Sequence, residues 1–545
     1  MKIWNVIQKL LRFDTEYDEF ELLEVENGTP PTAFHRPASP KRRPTPPGEA
    51  TIGSQSHIDP KQKLSTSLEK NLSIMKKAFS AEENKDCIFR RFRVGSSMDA
   101  CAVYLTGMAD TSLINEFVLR QSMAELSLPT GKTTADYMLE NVIAIADVKK
   151  LDVFCDLIAE VLNGSTALFF EGEAMGLAVE TPGFDRRSVQ EASIEKIIRG
   201  PQEAFTENLR TNVTLVRRIV RTTDLRCEFR PLGGENNLRC ALVYRQGITN
   251  ESLLKEVRKR LSSLRMHYMV GEGMLQQLIE ERKFAPIAQV LSTERPDRVA
   301  ALLMQGHVAV ICDGSPFVCV LPVTIGNLVN TPEDIYLRPI FGTLSRIIRY
   351  AGILMSILLP ALYVSLIMYH PELLPIEVIN TILESRRMVS LPIYLEIIFM
   401  LFLFQLVRES GLRVPGAMGQ AVGIIGGLIM GQASVDANLV SSMALIIVAL
   451  TGLGTYTIPV YSMQYTAILF RLIFILSAAL AGLPGMAIAI VISLAYLCSL
   501  KSFGVPMMAP FAPKTYQANH FFIRSLLDSS SGESDLTNTE QEERR

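Results

Sequence analysis

One boundary, near residue 345, constrains this chain more than any other feature. Before it, no uncharged apolar run reaches the roughly 18 residues a membrane-crossing helix needs; after it, such runs dominate. Mean hydropathy is +0.22 although 20% of the 545 residues are charged. Those values coexist only if a polar part and an apolar part are joined end to end. The expected fold is an α/β soluble region of two similar tandem subdomains followed by an all-α multi-pass membrane domain. The expected divisions are an N-terminal segment and disordered linker (1–61), a first α/β subdomain (62–200), a second (201–335), a transmembrane domain (345–510) and a polar tail (511–545).

The formal net charge of −2 gives no basic surface for nucleic acid. The eight cysteines form no CxxC pair, and most sit in apolar, strand-like runs. They read as buried free thiols in a reducing compartment. The six histidines are scattered, so neither a metal centre nor a cofactor is expected. "MKIWNVIQKLLRF" has Ile3, Ile7, Leu10 and Leu11 at helical spacing, as an amphipathic helix packed on protein or lying on a membrane surface. The Pro- and Ser-rich stretch 35–57 reads as a tether, and the tail from Asp528 is too polar to pack.

The polar half repeats itself. "CIFR" from Cys87 returns as "CEFR" from Cys227, "CAVYLTGMADTSLINEF" from Cys101 as "CALVYRQGITNESLLKEV" from Cys240, and "ALFFEGEAMGLAV" from Ala167 as "AVICDGSPFVCVL" from Ala309. The offsets are 140, 139 and 142 residues. Each copy reads as two strands, a helix starting at Asp110 or Thr249, further helix, then a hairpin turning on Glu171-Gly172 or Asp313-Gly314. An acid-Gly pair between apolar runs is a strong hairpin signal.

Between the copies lies "IIRGPQEAFTENLRTNVTLVRRIVR". Gly200-Pro201 predicts a helix cap and first-turn proline. Phe205, Leu209, Asn212, Val216 and Ile219 then share one helical face. The segment reads as a connecting helix, or as a site for an anion or a partner subunit. "STERPDRVAALL" is a similar helix start at Pro296 and Asp297. Arg199, Gly200, Pro201, Arg217, Arg218, Glu294, Arg295 and Asp297 are therefore the subunit-coupling candidates. No nucleotide loop, catalytic triad or paired-carboxylate motif stands out, so no enzyme is expected.

Past the boundary, apolar spans are expected over 350–369, about 392–407, the glycine-rich segment that follows, and about 439–458. Residues 370–391 form an amphipathic surface stretch. Arg338, Arg346 and Arg349 place the N-terminal region in the cytoplasm by the positive-inside rule. The last run, 468–500, would measure about 50 Å as one helix against a hydrocarbon core of about 30 Å. Gly482-Leu-Pro-Gly485 interrupts it. Either one kinked helix overhangs the bilayer, or two half-helices re-enter it and return the tail to the N-terminal side.

Gly419, Gly423, Gly427 and Gly431 form overlapping GxxxG steps, with Gln420 on the same stripe. Such a stripe admits another backbone closely, as a packing face or as the lining of a conduit formed by several copies. Glu396 and Gln405 lie within the second span, which ends at Arg408-Glu409. An intramembrane carboxylate is a functional candidate, or a group that snorkels to the membrane face.

The stretches "RGPQEAFTENLRTNVTLVRRIVR", "STERPDRVA", "DGSPFVCVLPV", "TPEDIY", "LPALYVSLIMYHPELLP", "RESGLRVP" and "GQAVGIIGGLIMGQASVDANLVS" resemble, in order, signatures of the A subunit of spore germination receptors, the GerA family. The resemblance runs from about residue 62 to 510. It implies a multi-pass protein of the spore inner membrane that works with B and C subunits and oligomerises into an ion-conducting, nutrient-gated pore. The chain departs from that pattern where Leu401 and Gln405 replace carboxylates, where "EAS" stands at 191–193, and where "PQEAF" stands at 201–205. If those carboxylates help cation passage, the resemblance implies altered conduction here, or a role as an accessory receptor. A secondary transporter is the rival reading, suggested by the broken last segment. A non-conducting scaffold for the other subunits is the third.

Overall fold

The computed structural model describes residues 59, 61–95, 98–124, 133–183, 192, 194–233, 235, 237–413, 427, 431–512 and 522–524. The expected N-terminal helix, the tether, the tail from Asp528 and the residues Gly419, Gln420 and Gly423 lie outside them.

The first α/β copy contains α1 (Leu68–Ala78), β1 (Cys87–Val94), β2 (Met98–Leu105), β3 (Val148–Leu151), α2 (Phe154–Asn163), β4 (Thr166–Phe170) and β5 (Gly176–Val179). The second contains α3 (Leu209–Ile219), β6 (Leu225–Leu232), β7 (Leu238–Arg245), α4 (Glu251–Ser263), α5 (Gly271–Ile279), β8 (Leu291–Thr293), α6 (Pro296–Met304), β9 (Val308–Cys312) and β10 (Val318–Leu321). The sheets run β1-β2-β4-β5-β3 and β6-β7-β9-β10-β8, so both copies have the same strand order. Neighbouring strands are antiparallel throughout. Alternation sends successive side chains to opposite faces, and both faces of the inner strands are covered. Cys101, Val103 and Phe169 pack under α1 and α2, while Ala100, Ala102, Leu168 and Phe170 pack on the other side.

The repeat begins earlier than its apolar blocks suggest. Asn71 bonds both backbone groups of Ser65, at 2.8 and 2.6 Å, and Asn212 does the same to Thr206, at 2.7 and 2.6 Å. The hairpin acid caps the copy's first helix in each case. Leu68 N–H donates to Glu171 (2.8 Å), and Leu209 N–H donates to Asp313 (3.1 Å). The glycine after each acid has positive φ, +83° and +76°, which glycine adopts without strain. Helix α3 is therefore the first helix of the second copy rather than a connector. Nor does it start at Gly200-Pro201: Asn208 is its N-cap, accepting from Arg210 and Thr211 N–H. The helix expected at Thr249 starts at Glu251, capped by Asn250.

The apolar half contains α7 (Pro339–Tyr369), α8 (Ile376–Arg386), α9 (Ile393–Arg413), α10 (Ser442–Tyr456) and α11 (Tyr461–Ser499). Among the described residues, α7 and α11 are long and apolar enough to cross a membrane. Helix α11 breaks at Ala481 and Gly482, where φ is +62° at the glycine. The Tyr369 hydroxyl, at the end of α7, donates to the carbonyls of Ala479 (2.7 Å) and Leu480 (3.2 Å) beside the break.

Both ends of α11 meet the second copy. The Thr466 hydroxyl donates to Pro286 O, and Arg282 donates to Ser499 O at 3.2 Å. Pro286 and Arg282 are four residues apart, whereas a straight helix would separate Thr466 from Ser499 by about 50 Å. The run therefore doubles back, and Leu500 returns to the α/β side. Phe503 and Val505 join one core of the second copy, and Leu500 and Met507 join its other core, which Met463 and Ala467 of α11 share.

Candidate functional site

The second copy carries a polar seam that the first does not. At the start of α6, the Glu294 carboxylate accepts the N–H groups of Ile194 and Glu195, both at 2.6 Å. Those residues belong to the segment between the copies. Fully buried Arg295 donates to Glu195 O (3.3 Å), Pro201 O (2.8 Å) and Asp297 (2.8 Å). One turn on, Arg298 donates to Glu195 (2.7 Å) and reaches the Asn327 carbonyl. A buried guanidinium is tolerable because carboxylate and carbonyl oxygens surround it.

The seam continues toward α7. Tyr336 donates to Asp297 at 2.8 Å, and burial together with that bond pushes its hydroxyl up to about 12. Two residues earlier, fully buried Asp334 accepts from Arg346 (3.0 Å) and from Arg349 (2.9 Å to each oxygen). Burial pushes the Asp334 carboxyl up, but Arg349 and Arg346 outweigh it and hold the group below its usual range. The Thr457 hydroxyl, just past α10, bonds Arg349 O at 3.4 Å. There α7 and α10 cross closely, since a Cβ on Gly454 would lie 2.4 Å from Gly352 O.

Of the coupling candidates, Glu294, Arg295, Asp297 and Pro201 thus converge. Gly200 lies beside them, where a Cβ would lie 2.7 Å from the Tyr336 ring. Arg199 is exposed. Arg217 faces the other way: it is buried, pairs with Asp86 of the first copy and donates to Asn84 (3.0 Å). Arg218 pairs with Glu203 at 3.3 Å on the surface. Sequence reading missed Asp334, Tyr336 and Arg298, although "TPEDIY" and "ERPDR" already held them.

In the apolar half, Glu396 is fully buried. It accepts from Arg386 of α8 and from the N–H and hydroxyl of Ser441, both at 2.6 Å, at the N-cap of α10. This carboxylate pins three elements together, and its cation comes from the amphipathic stretch. Gln405 and Glu409 are half-buried, while Arg408 is buried. Gly431 packs against Leu445, but a Cβ on Gly427 would meet none of the described residues within 4 Å.

Fold and seam define a paired α/β unit clamped onto apolar helices. The family described as "Bacillus/Clostridium GerA spore germination protein" matches residues 73–533. Spore germination protein KA of Bacillus subtilis (strain 168) is 35% identical over 456 residues, 83% of each chain. Spore germination protein GerLA of Bacillus cereus is 33% identical over 433 residues, 79% of this chain and 88% of that one. The crystal structure of the N-terminal domain of the A subunit of the Bacillus megaterium spore germinant receptor GerK3 is 28% identical with a TM-score of 0.38, covering 48% of this chain and 96% of that one. The chain belongs to the GerA family, as a spore germination receptor A subunit.

Proposed function

We propose that this chain assembles with copies of itself, and with B and C subunits, into a nutrient-gated ion-conducting pore of the spore inner membrane. The seam carries the reading. It links the segment between the α/β copies to the entry of α7 through Arg295, Asp297, Tyr336, Asp334 and Arg349, so a shift between the copies moves the membrane helices. Helices α7, α9 and α10 and both halves of α11 cross the bilayer, with the α/β copies in the cytoplasm beside Arg346 and Arg349. Gly427, which has none of the described residues against its Cβ position, suits contact with a neighbouring copy.

Asp334→Asn tests this by weakening the hold on both arginines. Spores carrying it should contain normal amounts of the protein and lose most nutrient-triggered ion release. Unchanged release would sink the coupling role. Flux assays separate the rivals: a pore conducts without a co-substrate gradient, a transporter requires one, and a scaffold passes nothing.

A further inference from the structure

Arg408 is a buried cation outside the seam. Only 8% of it is exposed, and neither Nη1 nor Nη2 has a hydrogen-bond partner. Its guanidinium lies 5.4 Å from the centre of the Tyr465 ring, at the start of α11. Less than two turns along α11, buried Arg471 bonds Ser356 O, the Ser356 hydroxyl and the Thr455 hydroxyl, each at 2.6 Å. All three are neutral acceptors. Arg471 is thus held by neutral groups alone, whereas Arg386 has its carboxylate in Glu396. A buried guanidinium left this way is strongly unfavourable unless a counter-charge arrives.

The position indicates which anion arrives. Thr466, beside Tyr465, touches Pro286 of the second copy, so the pair sits at the α/β end of the helices. Tyr461 and Tyr465 are exposed there with hydroxyls 2.8 Å apart, and tyrosines with this exposure favour the headgroup level of a bilayer. Guanidinium matches phosphate oxygens in pairs, and basic sites between helices on the cytoplasmic side take lipid headgroups. We infer that the junction of the end of α9 and the start of α11 binds a phosphate group through Arg408, beside Tyr465 and Arg471. The inference rests on the reading of α9 and α11 as membrane helices only for the source of that phosphate, lipid or free ion.

The test uses the purified full chain in neutral detergent, with phosphatidylglycerol, phosphatidylcholine or inorganic phosphate added. Native mass spectrometry reads retained lipid, and circular dichroism reads melting. The parent should retain phosphatidylglycerol over phosphatidylcholine, and Arg408→Gln should cut that retention at least fivefold with helix content unchanged. Arg408→Lys should keep part of it. A melting rise with inorganic phosphate that Arg408→Gln abolishes, without lipid retention, supports the site and assigns it to the free ion. Equal retention and equal phosphate response in parent and Arg408→Gln overturn it. If Arg408→Gln does not fold, the parent decides alone, and no rise from either phosphate source overturns the site.

Discussion

The two α/β copies share a frame and differ in what they hold. Asn71 and Asn212 tie the same turn, and Glu171 and Asp313 cap the same helix. The first copy closes on itself, its cores drawing on residues 64–179. The second copy's core runs on into Ile458, Val460, Met463 and Ala467 of the apolar half. Asp152-Val153-Phe154-Cys155-Asp156 at the start of α2 corresponds to Glu294-Arg295-Pro296-Asp297-Arg298 at the start of α6. The backbone slot is common, as the bonds Leu64 N–H to Asp152 O (2.9 Å) and Phe205 N–H to Glu294 O (2.8 Å) show. Attachment to the membrane side was therefore built from side chains on an unchanged scaffold.

The largest expected effect tests whether the copies are fixed to each other. Arg217 of α3 occupies the place of exposed Lys76 in α1. It is buried against Asp86, which is equally buried, with side chains 2% exposed on both sides. Arg217→Met leaves that carboxylate unpaired and should cost about 3–5 kcal/mol. Lys76→Met should cost less than about 0.5 kcal/mol, as a surface change. Thermal melting of the detergent-solubilised chain reads both. Similar midpoints for the two variants would break the asymmetry.

A pH comparison comes next. His307 opens the loop into β9 where the first copy has Ser165. Burial lowers its pKa to about 4, against a weaker opposing pull from the Leu302 carbonyl. Between about 4 and histidine's ordinary value of 6.5 the unfolded chain binds the extra proton and the folded chain does not. Stability from this residue is thus complete above pH 6.5, declines as pH falls, and is down by about 3 kcal/mol near pH 4. His307→Ser, borrowing the first copy's residue, should flatten that decline relative to the parent. Asp334 and the other carboxylates titrate in both proteins and cancel in the difference. Parallel melting curves from pH 7 to 4.5 would mean that His307 finds another proton partner.

A smaller effect is expected where the second copy's seam reaches the helices. Gly454→Ala forces a methyl toward the Gly352 carbonyl, 2.4 Å away in the present crossing, and overpacking of this kind costs about 1–3 kcal/mol. Gly427→Ala meets none of the described residues and should leave the melting unchanged. If both are silent, the α7–α10 crossing yields easily and does not transmit the second copy's position.

Much of the shared frame was legible in the sequence. Apolar alternation and the acid-Gly pairs placed both hairpins, because a strand's period and a turn's φ are local properties. The same holds for the break at Gly482. Tertiary partners were not legible. Nothing in "IIRGP" announces that Arg295, 94 residues away in sequence, holds the Pro201 carbonyl, so Gly200-Pro201 looked like a helix start. Glu396 stood out as an intramembrane carboxylate, but its cation, Arg386, sits in a stretch that reads as surface. The repeat's true start had a signal in "STSLEKN" and "TENLRTN", whose asparagines align once polar as well as apolar positions are compared.

The smallest prediction asks for equality instead of difference. If the frame is shared, the caps at Glu171 and Asp313 should contribute alike, although one copy carries the seam and the other does not. Each carboxylate accepts one backbone N–H at the N-terminus of its copy's first helix, where a negative charge also favours the helix dipole. Alanine at either position should cost about 0.5–2 kcal/mol, and the two costs should agree within about 0.5 kcal/mol. The sites lie in different copies with no shared partner, so the double variant should show the sum. Melting of the two single variants and the double variant measures this. A much larger cost at Asp313 would place the cap within the second copy's coupling machinery, and the common frame would then end at the strands.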